Sequence, residues 1–238
     1  MVGKIYFDRA MKYKGELFLK YKQEVIYPRG GEVVNAQTPV VVTLHGMGGT
    51  NYLNLRPLMP IFALPIIEIH LEGDLTYGDG YTYYIPEFIH QSEEAVITET
   101  ALAVHTEVAA ILANRGLAEN PLNVLGFSQG GAILAAALSV LYPSWINNGV
   151  LLSGRLPAFL WKTAQTKLKS KKLQTACFIS QGEKDPLFPV EAGQELARFF
   201  RTYAVIEPEY HVYPFGHGVS YQAVEDIYNW YVRLHAGT

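Results

Sequence analysis

The sequence has a single cysteine, Cys177. One thiol cannot close an internal disulfide, and it excludes any metal site built from several cysteines. Charge of one sign is also scarce. Nineteen Lys and Arg face 22 Asp and Glu, a formal net charge of −3, which makes no electrostatic case for nucleic acid. Long hydrophobic runs are missing too: the most apolar stretch, PLMPIFALPIIEI, is too short to span a bilayer and carries three prolines. The opening MVGKIYFDRAMKYKGELF has no apolar core of signal-peptide type. A cytoplasmic protein is the expectation. FLWKTAQTKLKSKK (159–172) sets five lysines beside Phe159, Leu160 and Trp161, which reads as a solvated helix face rather than a membrane contact.

Apolar residues are abundant. They make up 49% of 238 residues, enough for a sizeable core. GELFLKYKQEVIYP alternates apolar with polar residues and predicts an opening antiparallel hairpin, paired with the segment around Glu32 to Val34. Continuous β-branched runs then predict buried strands at 38–46 and 64–70, with a short helix over 51–63 between them. A helix over 92–116 is bracketed by Ser92 and Gly116. Strands at 122–126, 148–154, 174–180 and 208–215 alternate with helices at 128–142, 158–172, 190–202 and 218–235. This rhythm predicts an α/β fold: one domain over 1–238, with a mostly parallel central sheet and helices on both faces. The insertion 71–91, rich in Tyr and Gly and without a clear period, breaks the rhythm like a lid at the C-terminal edge of the sheet, where such sheets bind ligands.

LNVLGFSQGGAILAAAL places Ser128 in a Gly-x-Ser-x-Gly corner between strand and helix, the context that exposes a nucleophilic oxygen. Gly126 and Gly130 permit the tight turn, and Ala132, Ala135 and Ala136 continue the close packing of helix on sheet. A serine needs a base, and the base needs an orienting acid. Asp185 follows the strand 174–180, with Glu183 as a weaker rival, and His217 lies between two glycines before the last helix. The remaining histidines have no assigned role, His45 being a structural hydrogen bonder of its loop. An oxyanion formed by attack on a carbonyl needs N–H donors. Gln129 begins a helix and supplies one, and Met47 in the glycine-rich LHGMGGT is the candidate for the other.

HGMGGT, GFSQGG, SGRLP, QGEKDPLFPVE and GHGVS, in this order, resemble the phospholipase/carboxylesterase family of α/β-hydrolases, which includes acyl-protein thioesterases. The resemblance runs from about Pro39 to the C-terminus. It implies an α/β-hydrolase fold, a Ser128–Asp185–His217 triad, an oxyanion hole of Met47 and Gln129 N–H groups, and no cofactor or metal. SGRLP would lie beside the acyl pocket. Arg155, Leu156, Leu187 and the insertion residues Tyr83 and Tyr84 are therefore candidate substrate contacts. The expected partner is a small-molecule carboxylic ester of short to medium acyl length, with an oligomer possible; thioesterase or lysophospholipase action and a non-catalytic receptor are the alternatives. If insertion tyrosines line the pocket, shortening 74–84 should shift chain-length preference without abolishing attack on small esters.

Overall fold

The computed structural model describes residues 12–13, 16–17, 20–28, 34–50, 55–62, 64–169 and 171–236. The β-branched runs form its centre. Val40–Leu44 (β4) is buried at every position and lies between Ile67–Glu72 (β5) and Leu122–Phe127 (β8), parallel to both. Asn148–Leu152 (β9), Ala176–Gly182 (β10) and Glu209–Tyr213 (β11) extend the sheet in parallel beyond β8. Lys22–Ile26 (β3) closes the other edge antiparallel to β5, so seven strands run in the order β11-β10-β9-β8-β4-β5-β3.

Alternate side chains serve opposite faces, as a strand requires. Val40, Val42 and Leu44 join the core beneath helices Glu93–Asn114 (α1), Leu134–Leu141 (α2), Phe159–Leu168 (α3) and Val190–Tyr203 (α4). Val41 packs on the other face with Leu125, Phe178 and the Ile227, Trp230 and Tyr231 side chains of Tyr221–His235 (α5). Among the described residues α1 is the one helix long and apolar enough to cross a membrane, and its Ile97, Ala101, Val104, Val108 and Ile111 lie in the core under the sheet. Its Ser92 side chain accepts from Ala95 N–H, and Gly116 takes the left-handed conformation that ends such helices. Buried Glu107 accepts the N–H groups of Lys20 and Tyr21, both at 2.8 Å, which ties the chain before β3 to α1.

Four expectations are corrected. The alternating segment near the start forms β3, but β3 pairs with β5. The period marks a half-exposed strand and says nothing of its partner; here the free edge of β5 takes it. Residues 29–33 lie outside the described residues, while Lys12–Tyr13 (β1) and Glu16–Leu17 (β2) make a separate short antiparallel pair. Within the expected helix 51–63, Arg56–Ile61 is a 3-10 helix, because Pro57 and Pro60 have no N–H to donate; residues 51–54 and 63 lie outside the described residues. The helix expected from Ser128 opens with a π-helical turn, Gln129–Ile133, before α2. The insertion has regular structure: Leu75–Tyr77 (β6) and Gly80–Thr82 (β7) form a hairpin across Gly78-Asp79, with Gly78 at φ 57°. A two-residue Gly-Asp turn is a hairpin signal, hidden here by strands of only three residues.

Candidate active site

β4, β5, β8, β10 and β11 all deliver their following loops to one edge of the sheet, and each loop carries a residue singled out by the sequence. Ser128 leaves β8 at φ 56°, ψ −139°, a region costing a side-chain-bearing residue on the order of 1–3 kcal/mol. Close packing behind it holds it there. A Cβ on Gly126 would strike the backbone of Gly131, one on Gly130 would strike His45 O and the Tyr83 ring, and one on Gly131 would strike Gly126 and Leu44 O. Gly131 thus shares the spacing role read for Gly126 and Gly130. Ala135 and Ala136 are buried as expected, and the Ala132 side chain lies outside the described residues.

His217 bridges the other two residues. Its Nε2 lies 2.8 Å from Ser128 Oγ and its Nδ1 lies 2.8 Å from Asp185 Oδ2. A carboxylate accepts, so Nδ1 carries the proton and Nε2 is free to take the serine proton. Asp185 is buried and fixed by four donors: Leu187 N–H and Phe188 N–H on Oδ1 at 2.8 and 3.0 Å, and Gln181 Nε2 with the imidazole on Oδ2. Gln181 also donates to Phe188 O. The His217 ring lies near Phe127 and Phe188, with ring centroids 4.9 and 5.8 Å away. Ser153, fully buried at φ 46°, donates from Oγ to Gly218 O at 3.1 Å and so tethers the histidine loop from SGRLP. The rival acid Glu183 is exposed.

Gln129 opens the π-turn, so its N–H has no carbonyl one turn back. Met47 N–H has no backbone partner among the described residues, while its neighbours Gly48 and Gly49 are bonded. His45, directly before this loop, is fully buried; its Nδ1–H donates to Gly46 O at 2.7 Å and its Nε2 accepts from Gly73 N–H at 2.9 Å. Burial lowers its pKa below the ordinary imidazole value, partly opposed by the bond to Gly46 O and by Glu72. A neutral, structural His45 matches the sequence reading.

The expected substrate contacts are mostly turned inward. Tyr83 is buried among core residues with its hydroxyl donating to Leu71 O at 2.7 Å, because a phenol taken out of water must find an acceptor. Tyr84 is buried against Phe88, and burial raises the pKa of both phenols. Leu156 joins the core, and Arg155 forms an ion pair with Glu93 at the start of α1. Leu187 alone of the five is strongly exposed, at 61%, two residues beyond Asp185. Three side chains that hold the site had no role read for them in the sequence: Gln181 and Ser153, which open two of the quoted motifs, and Thr82, which donates to Gln129 Oε1 at 2.9 Å.

The family model for phospholipases and carboxylesterases matches residues 81–235. The chain belongs to this family. Among its relatives, carboxylesterase SOBER1 of Arabidopsis thaliana is 32% identical over 149 residues, 61% of this chain and 62% of that protein. Probable carboxylesterase Os04g0669600 of Oryza sativa subsp. japonica is 33% identical over 219 residues, 83% of this chain and 89% of that one. The matched stretch thus falls short of two thirds of SOBER1. The crystal structure of the Bacillus cereus carboxylesterase superimposes with a TM-score of 0.73 over 90% of this chain and 94% of that chain at 19% identity, which establishes the α/β-hydrolase fold. The family match includes the motifs of Ser128, Asp185 and His217, and LHGMGGT lies N-terminal to it.

Proposed function

We propose that the chain hydrolyses carboxylic esters of short to medium acyl length by a two-step serine mechanism. Ser128 Oγ attacks the ester carbonyl as its proton passes to His217 Nε2, and Asp185 steadies the imidazolium. Negative charge on the carbonyl oxygen is met by the N–H groups of Met47 and Gln129. His217 then protonates the departing alcohol, leaving the acyl group on Ser128. Water, deprotonated by His217, attacks that ester, and the serine is regenerated with release of the acid. The exposed Met47 and Leu187 side chains support an apolar acyl contact beside the triad.

The continuous relay, 2.8 Å from serine to histidine and 2.8 Å from histidine to aspartate, is the observation that carries this reading. Ser128→Ala tests it: turnover of p-nitrophenyl butyrate should fall about 10⁴- to 10⁶-fold with the fold intact. A variant that kept most of its activity would make Ser128 structural. A fluorophosphonate should label the wild-type protein at Ser128 and leave the alanine variant unlabelled.

A further inference from the structure

The insertion after β5 grips both loops that carry the candidate oxyanion donors. On one side Gly48 N–H donates to Tyr81 O at 2.9 Å and Tyr81 N–H donates to Gly49 O at 3.1 Å. Gly80 approaches Gly48 O so closely that any side chain there would collide with it. On the other side the hairpin holds the Gln129 amide at both ends. Gln129 Nε2 donates to Tyr84 O at 2.8 Å, which leaves Oε1 to face Thr82, whose hydroxyl lies 2.9 Å away. The same hydroxyl is 2.9 Å from Tyr84 O, so its single proton is shared between two carbonyl oxygens. Thr82 is wholly buried and Gln129 nearly so. Adjacent residues of one three-residue strand therefore reach the Met47 loop through backbone and the serine elbow through a side chain.

We propose that Thr82 is a positioning residue for ester hydrolysis, acting through the Gln129 side chain to aim the Gln129 N–H at the developing oxyanion. The proposal rests on the hydrolase reading above. Gln129 follows a serine held at φ 56°, a conformation that relaxes unless its neighbours prevent it. An amide locked at both ends fixes the Gln129 side chain, and with it the backbone that carries the donor. Stabilisation of an oxyanion depends on donors already aligned before charge appears, so a tilt of this N–H lowers kcat and leaves ground-state binding in place.

The test compares Thr82→Val, which removes the hydroxyl at nearly constant shape, with Thr82→Ser, which keeps it. Substrate is p-nitrophenyl butyrate, and affinity for phenylboronic acid, which forms a tetrahedral adduct on a serine, is measured in parallel. In Thr82→Val kcat should fall about 10- to 100-fold with KM changed less than about threefold, boronate affinity falling by the same factor as kcat. Thr82→Ser should restore most of the rate. In a Gln129→Met background, which keeps the backbone donor but not the amide, Thr82→Val should have little further effect, because the two act as one unit. A folded Thr82→Val protein with normal kcat, a loss confined to KM, or losses that simply add to those of Gln129→Met would overturn the proposal. Should Thr82→Val fail to fold, Thr82→Ala takes its place: full kcat overturns the proposal, and a kcat loss matched by boronate affinity and absent in the Gln129→Met background upholds it. Wild-type turnover that is absent, or that survives Ser128→Ala, overturns the hydrolase reading and this one together. Turnover that needs Ser128 but is indifferent to Thr82 overturns only this one.

Discussion

At the scale of single residues the site is a set of groups whose proton positions are dictated by their neighbours. Asp185 has no donor of its own and four groups pointing at it, so its task is to hold His217 in one tautomer. Asp185→Asn keeps the shape and reverses the bond, and kcat should drop on the order of 10⁴-fold, read on the same aryl ester. His45 makes a pH prediction. Its pKa in the folded protein lies below the ordinary value of about 6.5, so below that pH the unfolded chain binds the proton more readily than the fold does. Its contribution to stability is therefore complete above about 6.5 and is lost as pH falls through the depressed value. Urea unfolding at several pH values between 7.5 and 5 should show a steeper acid decline for the wild type than for His45→Gln. Parallel curves would mean that His45 titrates alike in both states. Both positions were legible in the sequence: His217 lies between Ser128 and Asp185, and His45 is bonded within its own loop. The inward turn of Tyr83 was not: its anchor, Leu71 O, lies 12 residues back in the chain, and only the folded register brings them together.

At the scale of elements, the buried strands were readable from short stretches rich in β-branched and other apolar residues, clearest in the VVVTL of β4, while β5, β8 and β10 carry polar residues within them and are buried at nearly every position all the same. Helix ends were readable where a cap was present, as at Ser92 and Gly116. The hairpin of β6 and β7 was not, since three-residue strands have no period to detect, and its bonds to the Met47 and Gln129 loops went unread with it. Leu75 and Tyr77 are exposed, but the residues from Gly80 to Tyr84 are bonded to the loops of Met47 and Gln129. The expectation that shortening 74–84 spares the reaction is therefore reversed. Removing those residues should lower kcat toward small activated esters at least about 100-fold, the size of effect seen when an oxyanion donor is lost. A truncated, folded protein hydrolysing p-nitrophenyl acetate at the wild-type rate would show that the two loops hold themselves.

At the scale of the molecule, a sheet with six parallel strands ending at one edge turns six unrelated loops into one surface, and chain order alone predicts which residues meet there. That is why the serine, acid and histidine could be paired from a linear sequence, while the walls around them could not: walls depend on side-chain direction. Exposed apolar Met47 follows Gly46, which packs against Phe127 and Ser128, and exposed Leu187 lies two residues beyond Asp185. Across p-nitrophenyl esters from acetate upward, kcat/KM should gain up to about 0.8 kcal/mol per methylene until the contact is filled, then fall. A flat ladder would remove these side chains from acyl recognition. The hairpin also divides into parts with different freedom. In its turn, a Cβ on Gly78 would meet nothing within 4 Å, whereas Gly80, the first residue of β7, abuts Gly48 O. Libraries aimed at new substrates should therefore vary or lengthen the turn at Gly78 and Asp79, keeping a positive-φ residue there, and leave Gly80 to Tyr84 untouched. Substrate range can then drift at a two-residue turn while the strand that follows it keeps its bonds to the loops of Met47 and Gln129.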